Sequence, residues 1–451
     1  MARKMKDSGI EWIGEIPEGW EIHRMKSCIS QRDGGAWGDE ATGETGDCIC
    51  LRIADFDYEH FRFTDSNNLT IRHYASPIIK KLLLQKNDIL IEKSGGGEKT
   101  PVGRTVLFDK EYPALFANFM DRLRCSDFVH PQYLQYVFVI FYKNRYTQNY
   151  IKQTTGIQNL DLSSMLADEF VPVPNLNEQK RIVCYLELKC SKIDNLLTKT
   201  RFSIEEYKKL KQAVITQAVT KGVRGEREMK DSGVEWIGEI PEEWNKCKLK
   251  NISIDIGDGL HGTPKFDDSG EVYFINGNNF SSEYVEPKFD TKKLCLEESL
   301  NYPKPELTEQ TIMISLNGSY GKVCLYRYFP MLLGKSAGYI TLLPSINRRY
   351  VRYYLSSTPA QIIMTLSLNG TTIPNLSLNT LYNFPTILPP ASEQAEIADY
   401  LDAKCAEIDG LIAKKEQLVK ELESYKKSLI YEVVTGKREI FTDITRKFPN
   451  I

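Results

Sequence analysis

One stretch of the chain carries the residue types of a phosphate-binding loop. Residues 94–100 read SGGGEKT, so three glycines precede Lys99 and Thr100. In a P-loop, two glycines five positions apart let backbone N–H groups surround the phosphates, and a Lys-Ser/Thr pair follows the second glycine. Those two positions hold Lys93 and Glu98 here. The sequence therefore argues against nucleotide hydrolysis at this loop.

Metal binding and covalent catalysis also find no support in the spacing of reactive residues. The ten cysteines are scattered without a CxxC pair, and none of the five histidines lies near a cysteine pair at zinc-site spacing. The chain has no HExxH motif, and no nucleophile, base and orienting group stand out. We expect reduced thiols, no metal site and no catalytic site.

A long basic stretch without carboxylates gives a positive signal instead. Residues 310–392 contain no Asp or Glu. Cations bind DNA phosphates, while amides, hydroxyls and guanidinium groups read base edges. The stretch favours DNA contact over a basic face with packed tyrosines; its cations and tyrosines are Lys322, Arg327, Lys335, Arg348, Arg349 and Arg352 with Tyr320, Tyr326, Tyr328, Tyr339, Tyr350, Tyr353 and Tyr354.

A smaller basic stretch lies in the first half, where residues 122–152 hold five basic residues against Asp127 alone. The whole chain points the other way, because 58 basic and 60 acidic residues give a net charge of -2. Taken alone, that total argues against a protein that binds a polyanion. The charge is therefore distributed unevenly, and the basic stretches are the regions to examine.

The sequence segments that are expected to position these residues occur twice in the chain. Residues 5–20 (MKDSGIEWIGEIPEGW) and 229–244 (MKDSGVEWIGEIPEEW) are identical at 14 of 16 positions. A second repeat begins after prolines at Glu178-Gln179 and at Glu393-Gln394. Internal repeats of this kind indicate a duplicated architecture. The blocks between them, residues 21–177 and 245–392, are poorly alike in sequence.

The second repeat has the apolar periodicity of a long amphipathic helix. Residues 178–219 and 393–434 place apolar side chains at the same successive spacings, and their net charges are +4 and -4. Matched seams with opposite charge favour pairing of the two helices over packing of each on its own domain. The predicted interface residues are Ile182, Leu186, Ile193, Leu197, Ile204, Tyr207, Ile397, Leu401, Ile408, Ile412, Val419 and Leu422.

The direction of this pairing follows from lengths. A 42-residue helix is about 63 Å long, whereas a compact domain of residues 245–392 spans roughly 40 Å. The second helix must therefore begin near the far end of the first and run back along it. We expect an antiparallel pair with one globular domain at each end. Each block reads as α+β, with one helix around residues 131–151 or 348–366.

The duplicated DSG(I/V)EWIGEIPE segment, the EQ opening of two long helices and the two divergent blocks resemble the specificity subunit of a type I restriction-modification system. The resemblance covers essentially the whole chain. It implies an α+β fold with two globular target recognition domains, separated by a pair of long antiparallel conserved helices, in a pseudo-twofold internal repeat. Each domain would read one half of a bipartite DNA site, and the helices would set the unread spacer.

The resemblance also implies partners and a division of labour. Two modification subunits would dock on the helices and carry out adenine-N6 methylation with S-adenosylmethionine. Restriction subunits would use ATP and Mg for translocation and cleavage. This chain would bind double-stranded DNA without catalysis or a cofactor of its own. The rival functions are a self-sufficient DNA-modifying enzyme and a helical spacer protein that binds no nucleic acid.

The repeats set the expected domain boundaries, whereas the expected DNA contacts are chosen by residue type. We expect repeat segments at 1–20 and 229–244, recognition domains at 21–177 and 245–392, a helix with connector at 178–228, and a helix with tail at 393–451. No motif fixes the contacts, so polar or Gly-flanked loop residues are chosen, although turn chemistry explains many equally well. They are Arg32, Lys93, Lys99, Arg104, Thr154, Gln158, Asn159, His261, Lys265, Asn278, Asn317, Tyr320, Lys322, Lys335, Asn369 and Thr372.

The expected location is the cytoplasm. The N-terminus has no apolar leader, and the longest apolar run, residues 137–142, is far short of the roughly 20 residues that span a bilayer. We therefore expect neither export nor membrane insertion.

Overall fold

Two units make up the chain, and each contains one copy of the 16-residue repeat at residues 5–20 or 229–244. The computed structural model describes residues 3–64, 68–153, 156–369 and 374–440. Unit 1 comprises Met1–Lys199 and Leu418–Ile451, and unit 2 comprises Thr200–Gln417. Among the described residues, no helix has the length and apolar character needed to cross a membrane.

Unit 1 is mixed α and β, with short 3-10 helices at Met25–Cys28, Ile53–Asp55 and Tyr146–Tyr150. Its strands are β1 Met5–Asp7, β2 Glu15–Pro17, β3 Glu21–Arg24, β4 Ile29–Gly34, β5 Asp39–Glu40, β6 Asp47–Leu51, β7 Phe56–Asp57, β8 Arg62–Phe63, β9 Ile71–His73, β10 Ile89–Glu92, β11 Ser94–Gly95, β12 Thr105–Leu107, β13 Ala114–Phe116, β14 Met120–Cys125, β15 Ile151–Gln153, β16 Gln158–Leu160 and β17 Phe170–Val173. Its shorter helices are α1 Ser76–Leu82, α2 Pro131–Lys143 and α3 Leu162–Asp168, and α4 Leu176–Lys221 continues into unit 2.

Unit 2 is also mixed α and β, with 3-10 helices at Leu249–Ile252 and Gly277–Asn279. Its strands are β18 Met229–Asp231, β19 Glu239–Pro241, β20 Asn245–Lys248, β21 Ser253–Asp258, β22 Val272–Ile275, β23 Lys293–Leu294, β24 Thr311–Ser315, β25 Val323–Leu325, β26 Met331–Leu333, β27 Ala337–Leu342 and β28 Pro385–Leu388. Its shorter helices are α5 Leu296–Leu300, α6 Arg348–Ser356, α7 Thr358–Leu366 and α8 Leu378–Tyr382, and α9 Ala391–Val434 begins here and ends in unit 1.

The repeated segment forms the same hairpin in both units. In β1–β2, Met5 lies opposite Pro17, and in β18–β19, Met229 lies opposite Pro241. Both hairpins turn through a glycine with φ +69°, a backbone region that disfavours side chains with a Cβ. The near-identical sequence therefore sets a near-identical local structure.

The sheets of the two recognition blocks share a strand order despite their different sequences. Unit 1 has the order β4-β14-β10-β12, extended by β8 and β7, and unit 2 has β21-β27-β24-β25. A second sheet pairs β6 in parallel with β13 and antiparallel with β9; β22 pairs with β26 and β23 in the same way. The α+β prediction of a duplicated frame around divergent blocks is confirmed.

The helix pair runs antiparallel. In unit 2, Lys211 of α4 contacts Asp409 of α9 at 2.6 Å, and Arg224, three residues past the end of α4, contacts Glu396 of α9 at 2.8 Å. An advance of thirteen residues from Lys211 therefore matches a retreat of thirteen from Asp409. In unit 1, Asp194 of α4 bonds Lys426 of α9 at 2.6 Å. These contacts confirm the predicted antiparallel sense.

The helix predicted around residues 348–366 is two helices. The first, α6, ends at Ser356, and Ser357 is extended (φ -71°, ψ 154°) before α7 begins. Pro359 in the first turn of α7 cannot donate the backbone hydrogen bond that would continue α6. The helix predicted around residues 131–151 is also shorter, because α2 ends at Lys143 and Arg145 takes the left-handed conformation (φ 67°).

Candidate nucleic-acid interface

A buried polar frame attaches each recognition block to the start of a long helix. In unit 1 the Gln179 Oε1 accepts a hydrogen bond from the backbone N–H of His130, which precedes α2. In unit 2 the Gln394 Oε1 accepts one from Asn347, which precedes α6. Each glutamine Nε2 also donates to a carbonyl of the proline segment before its helix. These bonds explain why the EQ pair opens both helices.

The neighbouring glutamates complete the frame. Glu178 accepts from Arg3 at 2.6 Å, and Glu393 accepts from Arg227 at 2.6 Å. Each guanidinium carbon lies 5.3 Å from the ring centroid of the repeat's last tryptophan, Trp20 or Trp244, and both tryptophans are buried. Trp244 additionally donates its Nε1–H to Glu393. The same set of contacts therefore orients both blocks on the helices.

Two cations of unit 1 share one buried carboxylate. Arg32 Nε and Lys93 Nζ donate to the two oxygens of Asp121, at 2.7 Å and 2.6 Å, and the Asp121 side chain is 3% exposed. The Arg32 Nη1 also donates to Ser163 Oγ at 2.8 Å. The structure thus brings two predicted DNA contacts together at the ends of β4 and β10.

A short β ladder lies beside these cations. Asn159 of β16 pairs with Ser94 of β11 on one side and with Lys152 of β15 on the other. The Asn159 Oδ1 accepts from Ser94 Oγ at 2.7 Å, and the Lys93 carbonyl accepts from Leu160 N–H. We call Arg32, Lys93, Ser94, Lys152 and Asn159 surface A.

The remaining predicted contacts of unit 1 are placed differently. Arg104 forms a bidentate ion pair with buried Glu92, at 2.7 and 2.9 Å, and stacks on the ring of Tyr58. Gln158 is buried, and its Oε1 accepts from the Val102 N–H. Lys99 is exposed in the turn after surface A. Arg104 and Gln158 are thus engaged inside the fold, and Thr154 lies outside the described residues.

Unit 2 builds the same ladder from three asparagines. Asn375 bridges to Asn317 on one side and to Asn369 on the other. The Asn369 and Asn375 backbones exchange two hydrogen bonds of 3.0 Å, and Leu376 N–H donates to the Leu316 carbonyl. We call Asn317, Asn369 and Asn375 surface B. Asn375 was missed by the sequence reasoning, although aligning the two Asn-Leu pairs, Asn159-Leu160 and Asn375-Leu376, would have found it.

Three predicted residues of unit 2 lie on loops that meet near surface B. The Leu316 N–H donates to the Ser336 carbonyl, which places exposed Lys335 next to the ladder. Ser336 Oγ accepts from Gly277 N–H, beside exposed Asn278. The loop holding exposed His261 joins through the Leu260 N–H, which donates to the Leu333 carbonyl. His261 itself is hydrogen-bonded to Asp258 at 2.8 Å.

The other predicted contacts of unit 2 lie at its surface. Tyr320 donates to Thr365 Oγ1 at 3.3 Å, and Lys322 is exposed in the same turn. Lys265 is exposed, and its backbone N–H donates to Glu298. Thr372 lies outside the described residues.

The cations of the carboxylate-free stretch serve two purposes. Arg349 pairs with Asp399 and Asp402 of α9. Arg352 lies 3.9 Å from Asp402 and stacks on Tyr353, and Arg348 donates to the Glu309 carbonyl. These three arginines hold α6 in place, and the exposed cations among the described residues of the stretch are Lys322, Arg327 and Lys335. The basic surface is therefore smaller than the sequence alone indicated.

The predicted helix-interface residues are mostly buried within each unit. In unit 1, Ile182, Leu186, Ile193 and Leu197 share a core with Leu429, Ile430 and Val433, and Val419 and Leu422 pack against it. In unit 2, Ile397 and Leu401 are fully buried, Ile204 and Ile408 are buried, and Ile412 is half-buried. Half-buried Tyr207 has Lys415 Nζ 5.6 Å from its ring centroid.

The thiols have the character of packing residues. All ten cysteines are free. Burial raises the pKa of Cys125 to about 12 and that of Cys190 to about 11, so these sulfurs are poor nucleophiles at neutral pH. Within the described ranges, no group of three or more His, Cys, Asp or Glu residues is arranged to hold a metal ion.

These features define a class of duplicated α+β proteins in which two divergent blocks stand on one pair of long helices. The profile of the type I restriction modification DNA specificity domain matches residues 53–205 and 241–421, one match in each half of the chain. The chain belongs to this family.

Named relatives agree with this assignment. The putative type I restriction enzyme MjaX specificity subunit of Methanocaldococcus jannaschii is 27% identical over 443 residues, which cover 95% of this chain and 96% of that protein. The MjaVIII specificity subunit of the same organism is 27% identical over 371 residues, 79% of this chain and 80% of the relative. The StySPI specificity subunit of Salmonella potsdam is 21% identical, with 94% and 90% covered.

Solved structures show the same fold. A chain from a study of complex assembly and conformational transition of the type I R-M system superposes with a TM-score of 0.72 and 16% identity, covering 94% of this chain and 99% of that one. The HsdS subunit from Thermoanaerobacter tengcongensis superposes with a TM-score of 0.51 and 15% identity, covering 94% and 98%.

Proposed function

We propose that this chain is the DNA-recognition and scaffold subunit of a type I restriction-modification complex, and that each unit reads one half of a bipartite site. One observation carries the proposal: the two units share a frame and a ladder, but the ladder residues and their neighbours differ. A common frame with different polar groups suits the reading of two different sequences at a fixed separation.

The helix pair supplies the scaffold in this proposal. Two methyltransferase subunits using S-adenosylmethionine would dock on it, and restriction subunits using ATP and Mg would join the complex in the cytoplasm. This chain would contribute positioning and no bond-making chemistry. Its polar clusters are consistent with that role, because Arg104–Glu92 and Arg349–Asp402 are ion pairs that tie elements together.

The main test compares the chain alone with the assembled complex. With DNA, S-adenosylmethionine and ATP, we expect no turnover by the purified chain and adenine methylation once the modification subunits are added. Turnover by the chain alone would instead establish a self-sufficient enzyme.

A second experiment addresses the spacer-protein alternative. The complex is incubated with a library of random duplexes, and the bound fraction is sequenced. We expect enrichment of two short motifs separated by a fixed unread gap. Binding without sequence preference would leave the chain as a helical spacer and overturn the proposal.

A further inference from the structure

We propose that Arg32 and Lys93, held by Asp121, form a guanine-reading site in unit 1. The inference rests on the proposed function and deepens it, because it assigns a base type and three residues to one half-site. Arg32 and Lys93 belong to surface A, whereas Asp121 lies beneath them on the central strand β14.

The geometry leaves the reading edge of Arg32 available. The Arg32 Nε donates a hydrogen bond to Asp121, and Nη1 donates one to Ser163. The Nη2 group makes no hydrogen bond to the described residues. One Nη1 and two Nη2 hydrogens therefore have no acceptor among the described residues, and one hydrogen on each of the two nitrogens suffices for a bidentate contact. Guanine offers two adjacent acceptors, O6 and N7, in the major groove, and a bidentate guanidinium matches that pair.

Asp121 fixes the direction of both cations. Free arginine and lysine side chains occupy many rotamers, and ordering them opposes binding. A carboxylate that is 3% exposed holds Arg32 and Lys93 before DNA arrives. Gly34 lies opposite Asp121 in the sheet, and a Cβ there would sit 3.1 Å from Lys93 Nζ. The glycine thus leaves the ammonium group its room.

Comparison with unit 2 separates recognition from stability. The counterpart of Arg32 in unit 2 is Ile256. Arg32 of β4 lies opposite Leu123 of β14, and Ile256 of β21 lies opposite Ile340 of β27. By the same strand pairing, Leu316 matches Lys93 and Gly338 matches Asp121.

The unit 2 trio is apolar, and Ile256 and Leu316 are buried. The fold is therefore satisfied by apolar side chains at these positions. Buried ion pairs are often replaceable by apolar groups without loss of stability, so stability does not require charges at this place. At this place only the unit 1 trio presents donor groups at the surface, because the Arg32 and Lys93 side chains are 33% and 29% exposed whereas Ile256 and Leu316 are buried.

The test uses the full chain assembled with its methyltransferase subunits and a randomised duplex library. The wild type should select a guanine at one position of one half-site. Arg32→Gln should reduce the preference for that guanine roughly 5- to 150-fold, the value of one bidentate base contact, and leave the other half-site unchanged. Lys86→Gln, which removes an exposed cation of unit 1 paired with Glu111, is the matched control.

Asp121→Asn tests the positioning role separately. We expect it to relax the guanine preference while total DNA affinity at a given salt concentration is retained, because both cations remain. A purely structural role would instead lower affinity for all sequences together with the melting temperature. The triple variant Arg32→Ile, Lys93→Leu, Asp121→Gly copies unit 2, so it should fold and lose the guanine preference.

The outcomes are distinguishable from failure of the proposed function. A wild-type complex with no bipartite preference would overturn the function itself. A wild-type complex with a bipartite preference that Arg32→Gln leaves unchanged would overturn only the guanine assignment. A uniform loss of affinity in Arg32→Gln across all sequences would mean a phosphate contact and would overturn it as well.

Discussion

Two lysine–aspartate pairs occupy matching places in the two copies of the long helix but have different surroundings. Lys426 bonds Asp194 at 2.6 Å, with 6% and 10% of the side chains exposed, and also donates to the Glu59 carbonyl. Lys211 bonds Asp409 at 2.6 Å, with 28% and 55% exposed. The same pair thus ties a recognition block to the helices in unit 1 and is partly exposed in unit 2.

This contrast predicts unequal effects of one substitution. Lys426→Met leaves the buried Asp194 carboxylate with only the His60 ring, 4.0 Å away, beside it, so the free energy of unfolding should fall by about 3–5 kcal/mol. Lys211→Met is the matched control and should cost at most about 1 kcal/mol. Urea denaturation of both variants measures the difference, and equal losses would contradict the prediction.

The frame glutamine of unit 2 gives a second prediction. Gln394→Leu removes the partners of the Asn347 N–H and the Pro389 carbonyl. Each unsatisfied buried group costs about 1–3 kcal/mol, so the free energy of unfolding should fall by several kcal/mol. Gln217→Leu makes the same change at an exposed position of α4 and should stay within about 0.5 kcal/mol of the wild type. A smaller loss at Gln394 than at Gln217 would refute the role of the frame.

Residue types, rather than their partners, could be predicted from the sequence. Polar loop chemistry pointed to Arg32 and Lys93, but Asp121 lies 89 residues from Arg32 in the chain. Only the pairing of β4 with β14 brings them together, and no periodicity of a single sequence encodes that pairing. Asn375 is different, because comparison of the two ladders within the sequence would have identified it.

At the scale of elements, the sequence predicts helices and hairpins, which depend on local residues, but not the order of strands in a sheet, which depends on distant ones. The hairpins and long helices follow from repeats and apolar spacing, and α4 begins two residues before Glu178. The order β4-β14-β10-β12 depends on contacts between distant segments, and hydrophobic patterns alone leave it open. The break at Ser357 shows how one proline overrides an otherwise continuous helical pattern.

The length of the helix pair should determine the unread spacer. We expect four residues inserted after Arg201 in α4, together with four after Leu418 in α9, to add about 6 Å. At about 3.4 Å per base step, this lengthens the preferred spacer by roughly two base pairs. Selection of bound duplexes by the assembled complex measures the gap.

Insertion in α4 alone is the control for this experiment. It shifts the register between Lys211 and Asp409, so it should lower stability without giving a longer defined spacer. An unchanged gap in a stable double-insertion variant would show that the helices do not set the spacing.

At the scale of the whole molecule, charge is divided between functions. The net charge of -2 combines an acidic α9, a basic α4 and loops with exposed cations, so it says little about any single surface. Several basic residues of these stretches form ion pairs within the chain, such as Arg124 with Asp88 and Arg349 with Asp399. We therefore expect the chain alone to bind DNA weakly and the assembled complex to bind it tightly.

The recognition block of unit 2 should be exchangeable without effect on what unit 1 reads. Residues 249–384 lie between β20 and β28, which pair with each other. Their exchange for the matching block of a relative keeps both strands and Gln394, whose partner at Asn347 is a backbone N–H that any residue except proline supplies. We expect such a chimera to change one half of the recognised site and keep the other half and the spacer. Mapping N6-methyladenine in cellular DNA reads the result. A change in both halves would contradict independent reading by the two units.

The near-identical hairpins have a consequence at the level of the gene. Met5 faces Pro17 and Met229 faces Pro241 in the same register, so a crossover between two genes that each encode this segment would join chains at a place where both sides already fit. The recombinant protein would form the same contacts among the arginine, glutamate and tryptophan at each hairpin as the parent proteins. Exchange of whole blocks between such genes would thus change the recognised site while the contacts between the hairpins and the long helices are kept.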